Sequence, residues 1–194
     1  MVELVIILHT IATEVVVGTF VLATLCSIIL CFTSWFGGQF NTRIVEIDAT
    51  LHIGVLLGCI SIPVAIMTGI SSSPTGDLQG AYLQNKIIFS GPLIAFWSAV
   101  LFHRKRIGVE LWNNRLQATF QSTLIIIAMS MTAILASIGG KISKGGSLLD
   151  WLPIKIDFSK SFLLPEFSVW LLFIFGVISI VIVLATKVNS RNLI

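Results

Sequence analysis

Long apolar runs, separated by short polar segments, organise this chain. They cover Leu4–Phe36, Leu51–Ile70, Ile87–Phe102, Phe120–Ile138 and Phe167–Ala185. About 20 helical residues cross a hydrocarbon core ~30 Å thick. The third run is shorter than that and recruits its polar ends. The pattern predicts an all-α polytopic membrane protein with five transmembrane helices: a four-helix bundle plus a peripheral fifth helix. Residues 1–194 then form a single integral membrane domain, with too little chain outside the bilayer for a second one.

The polar punctuation sets the expected boundaries. Helix one begins near Glu3 and stops before Gly37-Gly38. Its reach of ~50 Å exceeds the hydrocarbon core, so it tilts, kinks or extends into water. A loop over Gln39–Asp48 follows, and helix two starts near the acidic residues Glu46–Asp48. It runs past Pro63, which should kink it, to Gly69, with Ser61 and Thr68 supplying hydrogen bonds to the freed carbonyls. Ser71–Asp77 reads as a turn-rich loop. Helix three ends at the basic cluster His103-Arg104-Lys105-Arg106, and Ile107–Leu116 reads as interfacial. Helix four covers about Phe120–Ile138 and stops at Gly139-Gly140. A long loop, Lys141–Glu166, carries alternating apolar residues over Ile154–Phe158 that permit a short strand. Helix five runs uninterrupted to Lys187.

Composition supports the membrane assignment. The chain is 56% hydrophobic and 11% charged, against about 25% charged in soluble domains, and its mean hydropathy is +1.00. No soluble basic face exists, which excludes a nucleic-acid surface. The first run is about twice the length of a signal-peptide core and lacks a basic leader, so it is expected to stay in the mature protein. Cys26, Cys31 and Cys59 lie inside apolar runs without a Cys-x-x-Cys spacing and read as packing residues.

The net charge of +3 matters through its placement. With alternating spans, one side (B) carries Arg43, Arg104, Lys105, Arg106, Arg115, Lys187 and Arg191. The other (A) carries Lys86, Lys141, Lys144, Lys155 and Lys160. The positive-inside rule makes B cytoplasmic and leaves the N-terminus outside.

Polar groups within the runs are the candidates for chemistry. Glu14 is the sharpest, because a carboxyl at the bilayer centre costs roughly 2.5–3.5 kcal/mol on insertion scales. It shares a stripe with Thr10 and Gly18. It suits a proton or ion pathway, or an anchor for another helix; the plainer reading is a head group snorkelling to water. His9 is a second candidate for that pathway, though five residues from Glu14 place it about 140° away around the helix. The plainer reading of His9 is an interfacial polar residue.

His52 and His103 form a more geometric pair. His52 lies 19 residues before Ser71, and His103 lies 18 residues after Asn85, so the two imidazoles belong at nearly the same depth. Two histidines at one level on facing helices can ligate haem b axially, with a quinone as electron partner. The alternative is that His103 belongs to the basic cluster beside it. Gly54-x-x-x-Gly58 and Ala133-x-x-x-Ser137 are small-residue faces suited to close helix packing. No Gly-x-Gly-x-x-Gly, Walker loop, His-Glu-x-x-His or Cys-x-x-Cys-His occurs, and no inverted repeat is evident.

Leu8-His9, Thr68-Gly69 and Gly139-Gly140-Lys141 with Gly145-Gly146 follow one another along Leu4–Gly146. In this order they resemble an uncharacterised family of small prokaryotic membrane proteins with a four-helix core. The resemblance implies that architecture and a link to respiratory electron transfer. The chain departs from it in carrying Glu14 where a second histidine is expected, and in adding a fifth helix.

The expected function is therefore a non-catalytic, accessory subunit of a larger membrane complex, of a respiratory or electron-transfer kind. Its partners would be the lipid bilayer and other membrane subunits, met through helix five and the small-residue faces. A b-type cytochrome using His52 and His103 is the alternative, and a proton or ion pathway using Glu14 the third.

Overall fold

The computed structural model describes residues 2–37, 42–71, 81–146 and 150, together with Ile174, Ile178 and Val181. Four helices account for nearly all of them: α1 (Val2–Trp35), α2 (Thr42–Ser71), α3 (Ala81–Ile107) and α4 (Arg115–Lys144). Each is long and apolar enough to cross a membrane. The first four apolar runs thus form helices, and no strand occurs among the described residues. Of the fifth run only Ile174, Ile178 and Val181 are described, each helical and exposed. The proposed fifth helix and the possible strand at Ile154–Phe158 lie outside the described residues.

Several boundaries differ from expectation. α2 starts at Thr42, ahead of the expected Glu46–Asp48, and runs through Pro63 to Ser71. α3 also carries a proline in its interior, the buried Pro92. α4 passes through Gly139-Gly140 and ends at Gly145, whose φ of 69° and N–H bond to the Lys141 carbonyl form a left-handed C-cap. Inside a membrane an unpaired backbone group costs several kcal/mol, more than the ~1 kcal/mol helix penalty of a glycine, so the helix continues.

Helix packing closes a ring. α1 packs most extensively on α2 and also on α4; α3 packs on α4, and α2 meets α3 least. At the centre, the Phe20 ring of α1 stacks on Trp97 of α3, with centroids 4.0 Å apart and planes 15° from parallel. Trp97 donates its indole N–H to Thr132 Oγ1 of α4 at 3.3 Å. Gly58 of α2 lies directly beneath the Phe20 ring, so a Cβ there would sit 2.2 Å from Cε1. This is the physical content of the Gly54-x-x-x-Gly58 face: α2 presents bare backbone where α1 places an aromatic ring. Cys26 and Cys59 belong to the same packed core, and all three cysteines are free thiols.

The segment Ile107–Leu116 is more ordered than an interfacial stretch. Gly108, at φ 84°, turns the chain out of α3, a conformation open to glycine. A 3-10 helix over Val109–Asn113 then buries Leu111 and Trp112 beneath the bundle. Asn114 caps α4, its Oδ1 accepting N–H bonds from Leu116 and Gln117.

Candidate functional sites

Polar side chains gather at both ends of the bundle. The B end is built around Asp48 on α2, which is 1% exposed. Its carboxylate accepts three donor groups. Arg104 Nε of α3 reaches Oδ1 at 3.0 Å and Oδ2 at 2.7 Å. Arg104 Nη2 reaches Oδ2 at 2.6 Å. Trp112 Nε1, from the 3-10 helix, reaches Oδ1 at 2.7 Å. Asp48 thereby ties α2 to α3 and to the turn before α4, with a forked, charge-assisted geometry. Reading Asp48 only as a helix-start acid missed this role. The available signal was a carboxylate one turn before the apolar stretch of helix two, with an arginine expected at its level on helix three.

His52 and His103 do share that end of the bundle, but they face different neighbours. His52 is half-buried on α2, within electrostatic reach of Asp48 and Arg104. His103 is fully buried and points to α4. Its Nδ1 donates to Gln121 Oε1 at 2.6 Å, and Nε2 lies 2.9 Å from Gln117 Oε1. Gln121 Nε2 donates in turn to the Val100 carbonyl at 3.2 Å, which fixes that amide's orientation. The Phe120 ring meets the imidazole edge-on, 5.0 Å between centroids. With Nδ1–H committed, Nε2 either accepts from the Gln117 amide as a neutral ring or donates to it as an imidazolium. In both states the two ring nitrogens are occupied. An iron ligated by His103 would have to displace one of these glutamines.

The A end is assembled from all four helices. His9 of α1 is half-buried against the end of α2. Its Nδ1 donates to the Ala65 carbonyl at 3.0 Å and lies 3.3 Å from Thr68 Oγ1. Gly69 admits the imidazole, since a Cβ there would come within 2.8 Å of His9 Cε1. Thr68 also donates to the Val64 carbonyl at 2.6 Å. Lys86 of α3 is half-buried, with Nζ resting over Gly139 of α4, 3.4 Å from the position of a Cβ. It acts electrostatically on His9 and makes no ion pair among the described residues. Thr68-Gly69 and Gly139, singled out in the sequence as punctuation, serve here as contacts for His9 and Lys86.

Glu14 stands apart from both clusters. It is exposed on the outer face of α1, as are Thr10 and Gly18 of its stripe. Among the described residues nothing lies within 4 Å of a Cβ at Gly18. Glu14 makes no hydrogen bond or ion pair among the described residues. Its separation from the inward-turned His9 follows the ~140° between them on a helix. Among the described residues no group of three His, Cys, Asp or Glu side chains gathers to hold a metal.

Comparison with protein-family models, with curated proteins and with solved structures yields no match to this chain. Among the described residues, what the fold and these sites define is a bundle of four helices long and apolar enough to cross a membrane, with two polar ends and an exposed carboxyl, Glu14, on the outer face of α1.

Proposed function

We propose that this chain is an accessory subunit of a larger membrane complex, docking a partner helix against the outer face of α1. The carrying observation is Glu14, exposed on an apolar span and without a partner among the described residues. A carboxyl in that position costs roughly 2.5–3.5 kcal/mol if it faces lipid, and a donor or cation on a partner helix offsets the cost. Gly18, one turn further along, leaves room for the partner's backbone to approach. The chain's own fifth run, Phe167–Ala185, contains no basic residue, which favours a second polypeptide as the source of a cation.

A respiratory or electron-transfer assembly is the class that the four-helix resemblance supports. In this reading the chain performs no catalysis itself, and the basic B end faces the cytoplasm with the N-terminus outside.

The test is co-purification from the native membrane in mild detergent. Glu14→Leu should abolish recovery of the complex while leaving the isolated chain's melting temperature unchanged or higher. Glu14→Gln, which keeps hydrogen bonding, should retain part of the assembly. Full assembly by Glu14→Leu would sink the proposal, as would a wild-type chain that purifies alone as a stable, monodisperse species from cells holding its partners.

A further inference from the structure

A cavity of about 400 Å³ lies at the B end, enclosed by the end of α1, the start of α2, the 3-10 helix and the start of α4. Its inner wall is apolar, formed by Leu30, Ile44 and Trp112, all buried. Its outer wall is polar, with Thr33, Ser34 and Arg115 among the lining residues, and among the described residues no carboxylate lines it. The Ser34 hydroxyl is shielded from solvent yet has no hydrogen-bond partner among the described residues, an arrangement that native interiors rarely leave unmet. Arg115 is exposed, lies over the Trp35 ring at 5.7 Å, and makes no ion pair among the described residues.

We infer that this cavity binds the phosphate group of an anionic membrane phospholipid, with Arg115 and Ser34 taking the phosphate oxygens and Leu30, Ile44 and Trp112 receiving the adjoining glycerol and acyl carbons. A half-apolar, half-cationic cavity where a transmembrane bundle leaves the bilayer matches the two-part chemistry of a lipid. Arg115 is the first residue of α4, so the positive end of the helix dipole adds to its charge. Exposed Arg43 and Lys105 extend the positive field over the same end. Free phosphate would satisfy the polar wall alone and leave the apolar wall without a partner.

The test is native mass spectrometry of the full chain in detergent, titrated separately with phosphatidylglycerol, phosphatidylcholine and inorganic phosphate. One phosphatidylglycerol should bind in preference to phosphatidylcholine. Arg115→Gln should weaken it about fivefold or more, on the scale of one basic residue at a lipid surface. Arg115→Lys should restore most of the affinity. Ser34→Leu, which fills the cavity and keeps its charge, should also expel the lipid, with melting temperature confirming that each variant is folded. Lys105→Gln, outside the cavity, should weaken binding far less than Arg115→Gln does. Equal weakening by Arg115→Gln and Lys105→Gln would replace the site with diffuse surface attraction. Saturable phosphate binding with no retained lipid would overturn the lipid assignment. These readouts are independent of Glu14 and of complex assembly.

Discussion

Gly58→Ala perturbs the centre of the bundle by a single methyl group. The added carbon would lie 2.2 Å from Phe20 Cε1 and 2.7 Å from both Cδ1 and Cζ. Carbon atoms rest at about 3.5–4.0 Å, so the ring or the helix has to give way by more than ~1 Å. The ring has no free direction, because its other face stacks on Trp97 with centroids 4.0 Å apart. Trp97 is itself fully buried and hydrogen-bonded to Thr132. Overpacking of this kind costs about 1–3 kcal/mol, and disrupting the aromatic pair adds about 0.5–1.5 kcal/mol. A total near 2–4 kcal/mol lowers the melting temperature by roughly 5–15 °C for a chain of this length. The assay is thermal unfolding in detergent across a double-mutant cycle with Phe20→Leu, which shortens the obstructing side chain. Gly58→Ala alone should be clearly destabilised, and in the Phe20→Leu background its cost should shrink by at least about 1 kcal/mol. A single variant melting within a degree of wild type, or additive effects in the cycle, would refute the close approach of α2 to the Phe20 ring.

At the B end, Asp48→Ala leaves Arg104 and the Trp112 indole without their acceptor. Because Arg104 keeps 24% of its side chain exposed, the loss should fall near 2–4 kcal/mol, towards the lower part of the range for broken buried pairs, read by the same melting assay. Trp112 fluorescence should shift to the red in that variant if the 3-10 helix detaches; a stable Asp48→Ala with unchanged emission would count against the hub. Gln121→Leu removes the acceptor of His103 Nδ1 and should cost about 1–3 kcal/mol. In the wild type, nitrogen NMR of His103 should show a protonated Nδ1, and an Nε2–H tautomer with bare Nδ1 would contradict the hydrogen-bond network.

The first four spans were legible in the sequence because burial in a membrane demands long, uninterrupted apolar helices whatever their neighbours. Gly54 and Gly58 were legible as a packing face for the same local reason, although Phe20 as the occupant was not. Depth was legible too: counting residues from the loops places His52 and His103 at one end. Rotation was not. Each residue turns the helix by about 100°, so a level fixes no azimuth, and His103 turns to α4 instead of α2. Gln117 and Gln121, one turn apart in an apolar helix, were the readable sign of a buried polar partner there. Asp48 escaped because its partners lie 56 and 64 residues away. Gly139-Gly140 misled as a stop signal because local propensity, worth ~1 kcal/mol per glycine, gives way to the backbone's need for hydrogen bonds.

The arrangement of these groups also constrains how the protein can act. The His9–Lys86 end and the Asp48–Arg104 end are separated by the fully buried Phe20 and Trp97, with Val55, Ile125 and Ala128 equally excluded from solvent. Of the buried hydroxyls between the ends, Thr132 donates to the Ala128 carbonyl and accepts from Trp97, and Ser27 donates to Ser122 at 2.9 Å, while Ser137 has no hydrogen-bond partner among the described residues. Among the described residues, no carboxylate, histidine, lysine or arginine bridges the layer, so a proton crossing the interior would have to pass an aromatic stack. Glu14, the one strongly costly group in the membrane half of α1, lies on the opposite side of that helix from the sealed interior. On the proposed reading a neighbouring helix completes Glu14, and Glu14→Leu separates that role from transport: loss of assembly with an intact fold follows from docking, whereas an interior pathway would not be touched by a residue outside it.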